Sequence, residues 1–229
     1  MAKYCENVYN KAMKIISLES INSTNTFCNY LLTNPTGLPQ HLRPDEITLP
    51  VAVVADEQYG GRGRFGRSFY SPAKSGIYLS YANEGRYEIA DLLKITVVVA
   101  ALVHRVLQRH CGDELSIKWV NDIYRGSHKI AGILCERVDD PASGRYYIIV
   151  GVGVNLFPCE VPDELKDVMG CLIDEGDEAV NGDKAGLRAR VTDELLEALD
   201  AVLGESETAE FDELIEYYMA RCKDVPEEY

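Results

Sequence analysis

The sequence predicts an α+β fold: a mixed, largely antiparallel sheet flanked by helices. Three observations carry this reading. Strand-like runs at Leu115 to Val120, Lys129 to Glu136 and Tyr146 to Asn155 follow one another across connections too short for parallel crossovers. A long apolar pattern at helical spacing runs from Asp91 to His110. Helical spacing then returns near the end of the chain, after the last strand.

Taken in order, Val51 to Ala55 is a short apolar, β-branched run that reads as a buried strand, and Ile77 to Ala82 (IYLSYA) is another. Asp91 suits the N-cap of the long helix, and Gly112 stands just past its end. Apolar residues are nearly continuous from Val97 to Val103, so this helix should lie deep against the sheet. Arg125-Gly-Ser-His separates the first two later strands, and Asp139-Asp-Pro-Ala-Ser-Gly separates the last two; both read as hairpin connections. Leu187, Val191, Leu195 and Leu199 mark one C-terminal helix. Phe211, Leu214, Ile215 and Tyr218 mark a second, shorter one.

With 229 residues, 46% apolar and 26% charged, the chain reads as one globular domain over residues 1–229, with a core near 17–160 and an acidic helical segment near 161–229. The net charge of −14 is unevenly spread: from Glu160 onward there are 22 acidic and 6 basic residues. The rest is slightly basic, which argues against nucleic-acid binding by the whole protein and leaves room for a local anion site. The opening MAKYCENVYNKAMKIISLES lacks the apolar run of a secretory signal, and Ile95 to Val103 is too short to span a bilayer. Seven cysteines (Cys5, Cys28, Cys111, Cys135, Cys159, Cys171, Cys222) form no C-x-x-C pair and read as reduced thiols in a cytoplasm. His41, His104, His110 and His128 lack zinc-ligand spacing.

Gly61 to Gly66 spell G-x-G-x-x-G, but a dinucleotide-binding turn needs a helix that begins within the motif. Here the chain runs through Pro72 and Gly76 into another strand, so that reading fails. No Gly-Lys-Ser/Thr follows, so the Walker pattern fails as well. Two readings remain: a surface loop that happens to carry arginines, or a loop that closes on an anionic ligand. Gly60, Gly61, Gly63 and Gly66 make it costly to order. Arg62, Arg64 and Arg67 should repel one another unless an anion lies between them.

Ser23-Thr24-Asn25 precedes Phe27, Tyr30 and Leu31, and reads either as a helix cap or as hydroxyls facing a ligand. Lys118-Trp119-Val120-Asn121-Asp122 closes a strand with a cation, an amide and a carboxylate. Asn-Asp can begin a turn, or hold phosphate-bound magnesium through hard oxygens. Gly132, inside Lys129-Ile-Ala-Gly-Ile-Leu, marks a bulge or a close approach. In Gly151-Val-Gly153-Val-Asn155, alternate positions share one face, which is bare twice and then polar. No serine, histidine and carboxylate grouping suggests a triad. This inventory suits catalysis by positioning and charge neutralisation, without an enzyme nucleophile.

In this order, S-T-N at 23–25, Q-Y-G-G-R-G-R-F-G-R at 58–67, K-W-V-N-D at 118–122, K-I-A-G-I-L at 129–134 and G-V-G-V-N at 151–155 resemble the biotin–protein ligases, over roughly residues 17–200. The resemblance implies the fold shared with lipoate ligases and related to class II aminoacyl-tRNA synthetases. It also implies ATP-dependent attachment of biotin to a lysine of biotin carboxyl carrier protein, through biotinyl-5′-AMP. By the same resemblance Ser23, Thr24, Asn25, Gln58, Gly61, Arg62, Gly63, Arg64, Lys129 and Gly132 would bind biotin. Arg62, Arg64, Arg67, Phe69, Lys118, Asn121, Asp122 and Asn155 would serve ATP. Lys129 and Arg64 are the candidate catalytic residues, with Lys129 where the biotin carboxylate and α-phosphate converge. Asp122 is the candidate magnesium ligand.

The arginine loop would order over biotin and the adenylate and keep water away. The implied co-substrates are ATP with Mg2+ and biotin, with no tightly bound prosthetic group. The implied partner is biotin carboxyl carrier protein or the carrier domain of a biotin-dependent carboxylase, with no nucleic acid and no membrane. Many members are homodimers. Val120 stands where the family usually has proline, and Phe69 where tryptophan is common. The chain stops at Tyr229, before the SH3-like barrel usual in the family, and too few residues precede the motifs for a DNA-binding domain. The rivals are a lipoate ligase or octanoyltransferase, the latter needing a cysteine nucleophile such as Cys135, and a catalytically idle biotin-binding module.

Overall fold

The computed structural model describes residues 5–9, 13–43, 47–85, 92–174, 176, 182–204 and 209–225. Nine strands share one sheet: β1 (Cys5–Tyr9), β2 (Met13–Ile21), β3 (Val51–Gln58), β4 (Gly76–Glu84), β5 (Leu115–Lys118), β6 (Asp122–Arg125), β7 (His128–Asp140), β8 (Arg145–Asn155) and β9 (Cys222–Lys223). Their order is β1-β2-β3-β4-β8-β7-β6-β5-β9. The pairs β2–β3 and β5–β9 are parallel and the other pairings antiparallel, so the sheet is mixed and largely antiparallel, as the short connections predict. Among the described residues four α-helices accompany it: α1 (Thr24–Thr33), α2 (Leu92–Gln108), α3 (Lys184–Leu203) and α4 (Ala209–Met219).

The differences from expectation are local. Leu115 to Val120 is shorter than predicted, because the chain turns at residues 119–121 and Asp122 opens the separate strand β6. The turn carries a cis Trp119–Val120 peptide bond. β2 was not foreseen, since Lys14, Ser17, Glu19 and Ser20 interrupt its apolar pattern. Asp91, the expected N-cap of α2, lies outside the described residues. At the other end, the amides of Arg109 and His110 reach back to Val106 and Leu107, tightening the last turn before Gly112.

Side-chain alternation divides the core between the two faces of the sheet. On one face Ile77, Leu79 and Tyr81 of β4 and Val150, Val152 and Val154 of β8 meet α2 and the C-terminal helices. α2 lies within this core, with residues 95 to 104 buried, which explains its nearly continuous apolar sequence. Leu187, Val191, Leu195 and Leu199 of α3 join Phe211 and Leu214 of α4 in closing it. The acidic C-terminal segment therefore shares a core with the rest of the sheet. On the other face Phe27, Cys28 and Leu31 of α1 pack with Val53 and Ile149.

Past Ile149 this second face is notched. Gly132 pairs with Gly153 across β7 and β8, and Gly151 pairs with Ser80 of β4. A methyl at Gly151 would collide with the Asn25 carboxamide. One at Gly153 would lie 2.6 Å from the Phe69 ring, and one at Gly132 would lie 3.1 Å from the Lys129 stem. The missing side chains thus make room for groups from α1, the arginine loop and β7. No helix of the described residues is long and apolar enough to cross a membrane.

Gly151→Ala should destabilise the fold by about 1–3 kcal/mol through overpacking. Gly112→Ala, where an added methyl meets nothing within 4 Å, should stay within about 0.5 kcal/mol. Denaturant unfolding measures both. A second expectation concerns His104, which is 1% exposed with Nδ1 3.0 Å from the Tyr217 hydroxyl. Burial lowers its pKa below the usual 6.5, so the folded protein keeps it neutral where the unfolded chain would take a proton. Its contribution is present above pH 6.5 and is lost as pH falls below that value. His104→Gln should flatten the fall of Tm between pH 6.5 and about 5; an unchanged slope would exclude His104 as its cause.

Candidate active site

The glycine notch forms the floor of a pocket of about 280 Å³, walled by α1 on one side and the arginine loop on the other. Ser23 is the N-cap of α1, and its hydroxyl accepts from the Thr26 amide, so the capping reading holds for this residue. The next two residues turn inward. Thr24 donates to Gln58 Oε1 twice, from its amide at 2.9 Å and from its hydroxyl at 3.1 Å. Gln58 Nε2 donates to Ser71 Oγ at 3.0 Å, and Ser71 in turn donates to the Phe69 carbonyl. The Ser80 hydroxyl lies 2.7 Å from Thr24 Oγ1 and 2.5 Å from Asn25 Oδ1. Ser23, Thr24 and Asn25 are all buried, and this network fixes how they present their polar atoms.

The arginine loop folds back on itself as a short hairpin. Phe69 N–H donates to Gly61 O at 2.9 Å, and Gly63 N–H to Arg67 O at 2.7 Å. Its tip is made by Phe65 and Gly66 in left-handed conformations, with φ of 56° and 73°. Phe65 accepts this without glycine's freedom and points its ring outward, 86% exposed. The arginines do not depend on a shared anion to coexist. Arg62 pairs with Glu136 at 2.9 Å, Arg64 donates to Asn121 Oδ1 at 3.3 Å, and Arg67 stands exposed at the pocket mouth. The expected repulsion is relieved by protein partners on β7 and in the 119–121 turn.

Lys129 Nζ lies 2.7 Å from Asp122 Oδ1 and 5.7 Å from the centre of the Phe69 ring. The space at Gly132, expected to admit a ligand, holds the Lys129 stem and the edge of Phe69. Asn121 Nδ2 donates to Ile133 O at 2.8 Å, which ties the turn to β7. Lys118 is exposed, with Nζ 5.3 Å from the centre of the Tyr124 ring. Nearly all the sequence-predicted residues therefore line one pocket; Gly61 and Asn155 do not. Gly61 is buried in the loop's stem. Asn155 lies beneath the wall, where its Nδ2 donates to Lys129 O at 3.2 Å and its buried Oδ1 has no hydrogen-bond partner among the described residues.

Sequence reasoning missed Ser80 and Glu136. Ser80 offered one signal, a lone hydroxyl in the middle of the buried strand IYLSYA. Glu136 offered none, because the residues it joins are remote in sequence. Cys135, its neighbour, points to the opposite face and packs against the α2 core. Burial pushes its thiol pKa up to about 12, which does not suit a transferase nucleophile.

For magnesium, Asp122 is the one carboxylate lining the pocket among the described residues, and it is already paired with Lys129. No cluster of three or more His, Cys, Asp or Glu side chains could hold a metal among those residues. One carboxylate, with phosphates and water completing the shell, is a common way to hold magnesium. The donor set fits an ion that arrives with a nucleotide better than a resident one.

The Bacillus subtilis bifunctional ligase/repressor BirA is 34% identical over 136 residues, which is 59% of this chain and 41% of that protein. The Paracoccus denitrificans biotin–[acetyl-CoA-carboxylase] ligase is 37% identical over 108 residues, 45% of this chain and 43% of its own. The chain thus spans less than half the length of these curated relatives. Among solved structures, the biotin protein ligase from Aquifex aeolicus in complex with biotin and ATP superposes with a TM-score of 0.66 at 26% identity, covering 93% of this chain and 78% of that one. Residues 17–155 match the model of the biotin/lipoate A/B protein ligase family, and the chain belongs to that family.

Proposed function

We propose that this protein is a biotin–protein ligase. The observation that carries the reading is convergence: one pocket brings the Thr24–Gln58–Ser80 network, Lys129 and the arginine loop together on the family's fold. The polar network suits a ligand with hydrogen-bonding edges, such as the ureido ring of biotin. The dithiolane of lipoate has neither an N–H nor a carbonyl to offer it, which favours biotin over the lipoate ligase reading.

In the first step an oxygen of the biotin carboxylate attacks the α-phosphorus of ATP, and pyrophosphate leaves. Two anions must approach each other, and Lys129, Arg62 and Arg64 supply the compensating charge. Lys129 would exchange Asp122 for the converging oxygens, freeing Asp122 toward magnesium carried by the nucleotide. In the second step the amine of a carrier lysine attacks the acyl carbon; AMP leaves and the nitrogen gives up a proton. The hairpin loop, closed over the pocket, would keep water from the mixed anhydride in between.

Relatives named biotin–[acetyl-CoA-carboxylase] ligase support a carboxylase carrier as the acceptor. We further place the protein in the cytoplasm, acting without DNA: its seven cysteines form no disulfide framework in the sequence, and its acidic C-terminal segment would repel nucleic acid.

Incubated with biotin, ATP and a biotin carboxyl carrier domain, the protein should add the mass of one biotinyl group to a single carrier lysine. Pyrophosphate release without that mass gain would reduce the function to adenylation. Lys129→Ala should lower biotin-dependent pyrophosphate release by about 100-fold or more, since converging anions lose their cation. Near-normal release by this variant would contradict the role given to Lys129.

A further inference from the structure

Glu136 is an acid that none of the ligase motifs includes, yet it stands at a junction. It lies on β7 opposite Ile149, on the notched face and four residues beyond Gly132. Its two carboxylate oxygens have different partners. Oε1 accepts from Arg62 NH2 at 2.9 Å, and Oε2 accepts from Asn25 Nδ2 at 2.9 Å. Arg62 belongs to the loop, whereas Asn25 belongs to the first turn of α1. The carboxylate is the common point of two walls otherwise remote in sequence.

The two bonds have separate consequences. Asn25 Nδ2 also donates to Leu134 O at 3.3 Å, so both amide hydrogens are directed at β7. That fixes the carboxamide with Oδ1 toward Ser80, which also contacts Thr24 Oγ1. Rotating the amide by half a turn would set its NH2 beside Ser80 and its oxygen against a carboxylate. The other bond anchors the loop stem: Arg62 is 49% exposed and Glu136 only 24%, so the more sheltered partner determines where the guanidinium rests. An exposed ion pair alone would contribute little. Shared with the buried Asn25 amide, the same carboxylate makes two charge-assisted bonds at fixed angles.

We propose that Glu136 is a positioning residue: its carboxylate holds the Arg62 loop stem and the Asn25 amide in register, so that the pocket is assembled before its ligand enters. Preorganisation of this kind lowers the ordering cost of binding and leaves the bond-making step to other groups. The binding part of the claim rests on the ligase reading, and the loop-anchoring part does not.

Glu136→Gln is the discriminating substitution. It keeps size and shape but replaces one accepting oxygen with an NH2, which would face a guanidinium or another NH2. We expect the KM for biotin in pyrophosphate release to rise about tenfold, with kcat changed less than about threefold and Tm nearly unchanged. A second readout needs no activity. Arg62, Arg64 and Arg67 are trypsin sites, and ligand-free Glu136→Gln should be cut among them several-fold faster than the parent protein, with cleavage elsewhere unchanged. An unchanged KM together with unchanged loop cleavage would overturn the proposal. A general fall in Tm with faster cleavage throughout the chain would also overturn it, by making Glu136 an ordinary structural residue. A parent protein that releases no pyrophosphate with biotin would refute the ligase reading instead, and loop cleavage would still decide the anchor.

Discussion

Three absent side chains govern the arrangement of this protein. Gly132, Gly151 and Gly153 lie side by side on two paired strands, and the Asn25 carboxamide, the Phe69 ring and the Lys129 stem fill the space they leave. A close-packed sheet with ordinary side chains there would push these groups outward and close the pocket. The notch does not weaken the core. The opposite face of the same strands carries Val150, Val152 and Val154 against α2, so one strand is packed on one side and open on the other. Alternation along β8 lets stability and function occupy opposite faces of the same eleven residues.

The electrostatics follow from this geometry. Among the described residues, Arg62, Arg64, Arg67, Lys118 and Lys129 line the pocket against the single carboxylate of Asp122, in a protein whose net charge is −14. Such local reversal concentrates anions where the rest of the surface would repel them. Three of these cations already have partners: Asn121 for Arg64 and Asp122 for Lys129, both exchangeable, and Glu136 for Arg62. The pairs of Arg64 and Lys129 can be traded for phosphate and carboxylate oxygens, while Glu136 holds the loop stem. Lys129 is further steadied from below, where Asn155 holds its carbonyl.

Much of this was legible in the sequence, for identifiable reasons. β7 and β8 were readable because they are long, apolar on alternate positions and joined by a turn rich in Asp, Pro, Ser and Gly. α2 was readable because a helix buried within the core is apolar on every side. β6 was not, since four residues beginning with Asp122 and ending with Arg125 carry no period. β2 was hidden by its polar residues and by its parallel pairing with β3, a partner far along the chain. In the site, the motifs named residues that line one pocket but did not give their contacts. Sequence spacing showed that residues 151 and 153 were bare, but not that Asn25 and Phe69 occupy the gap. The resemblance implied a place for Asn155 at the nucleotide; the structure sets it under Lys129. Glu136 left no trace, because its role is defined by two partners more than seventy residues away.

The most direct measurement of the central claim is pyrophosphate release from ATP by the unaltered protein, with biotin and lipoate offered separately at equal concentration. Release that depends on biotin and is weak or absent with lipoate is the expected result. Equal release with both acids, or preference for lipoate, would contradict the claim that the Thr24–Gln58–Ser80 network selects a ligand with hydrogen-bonding edges.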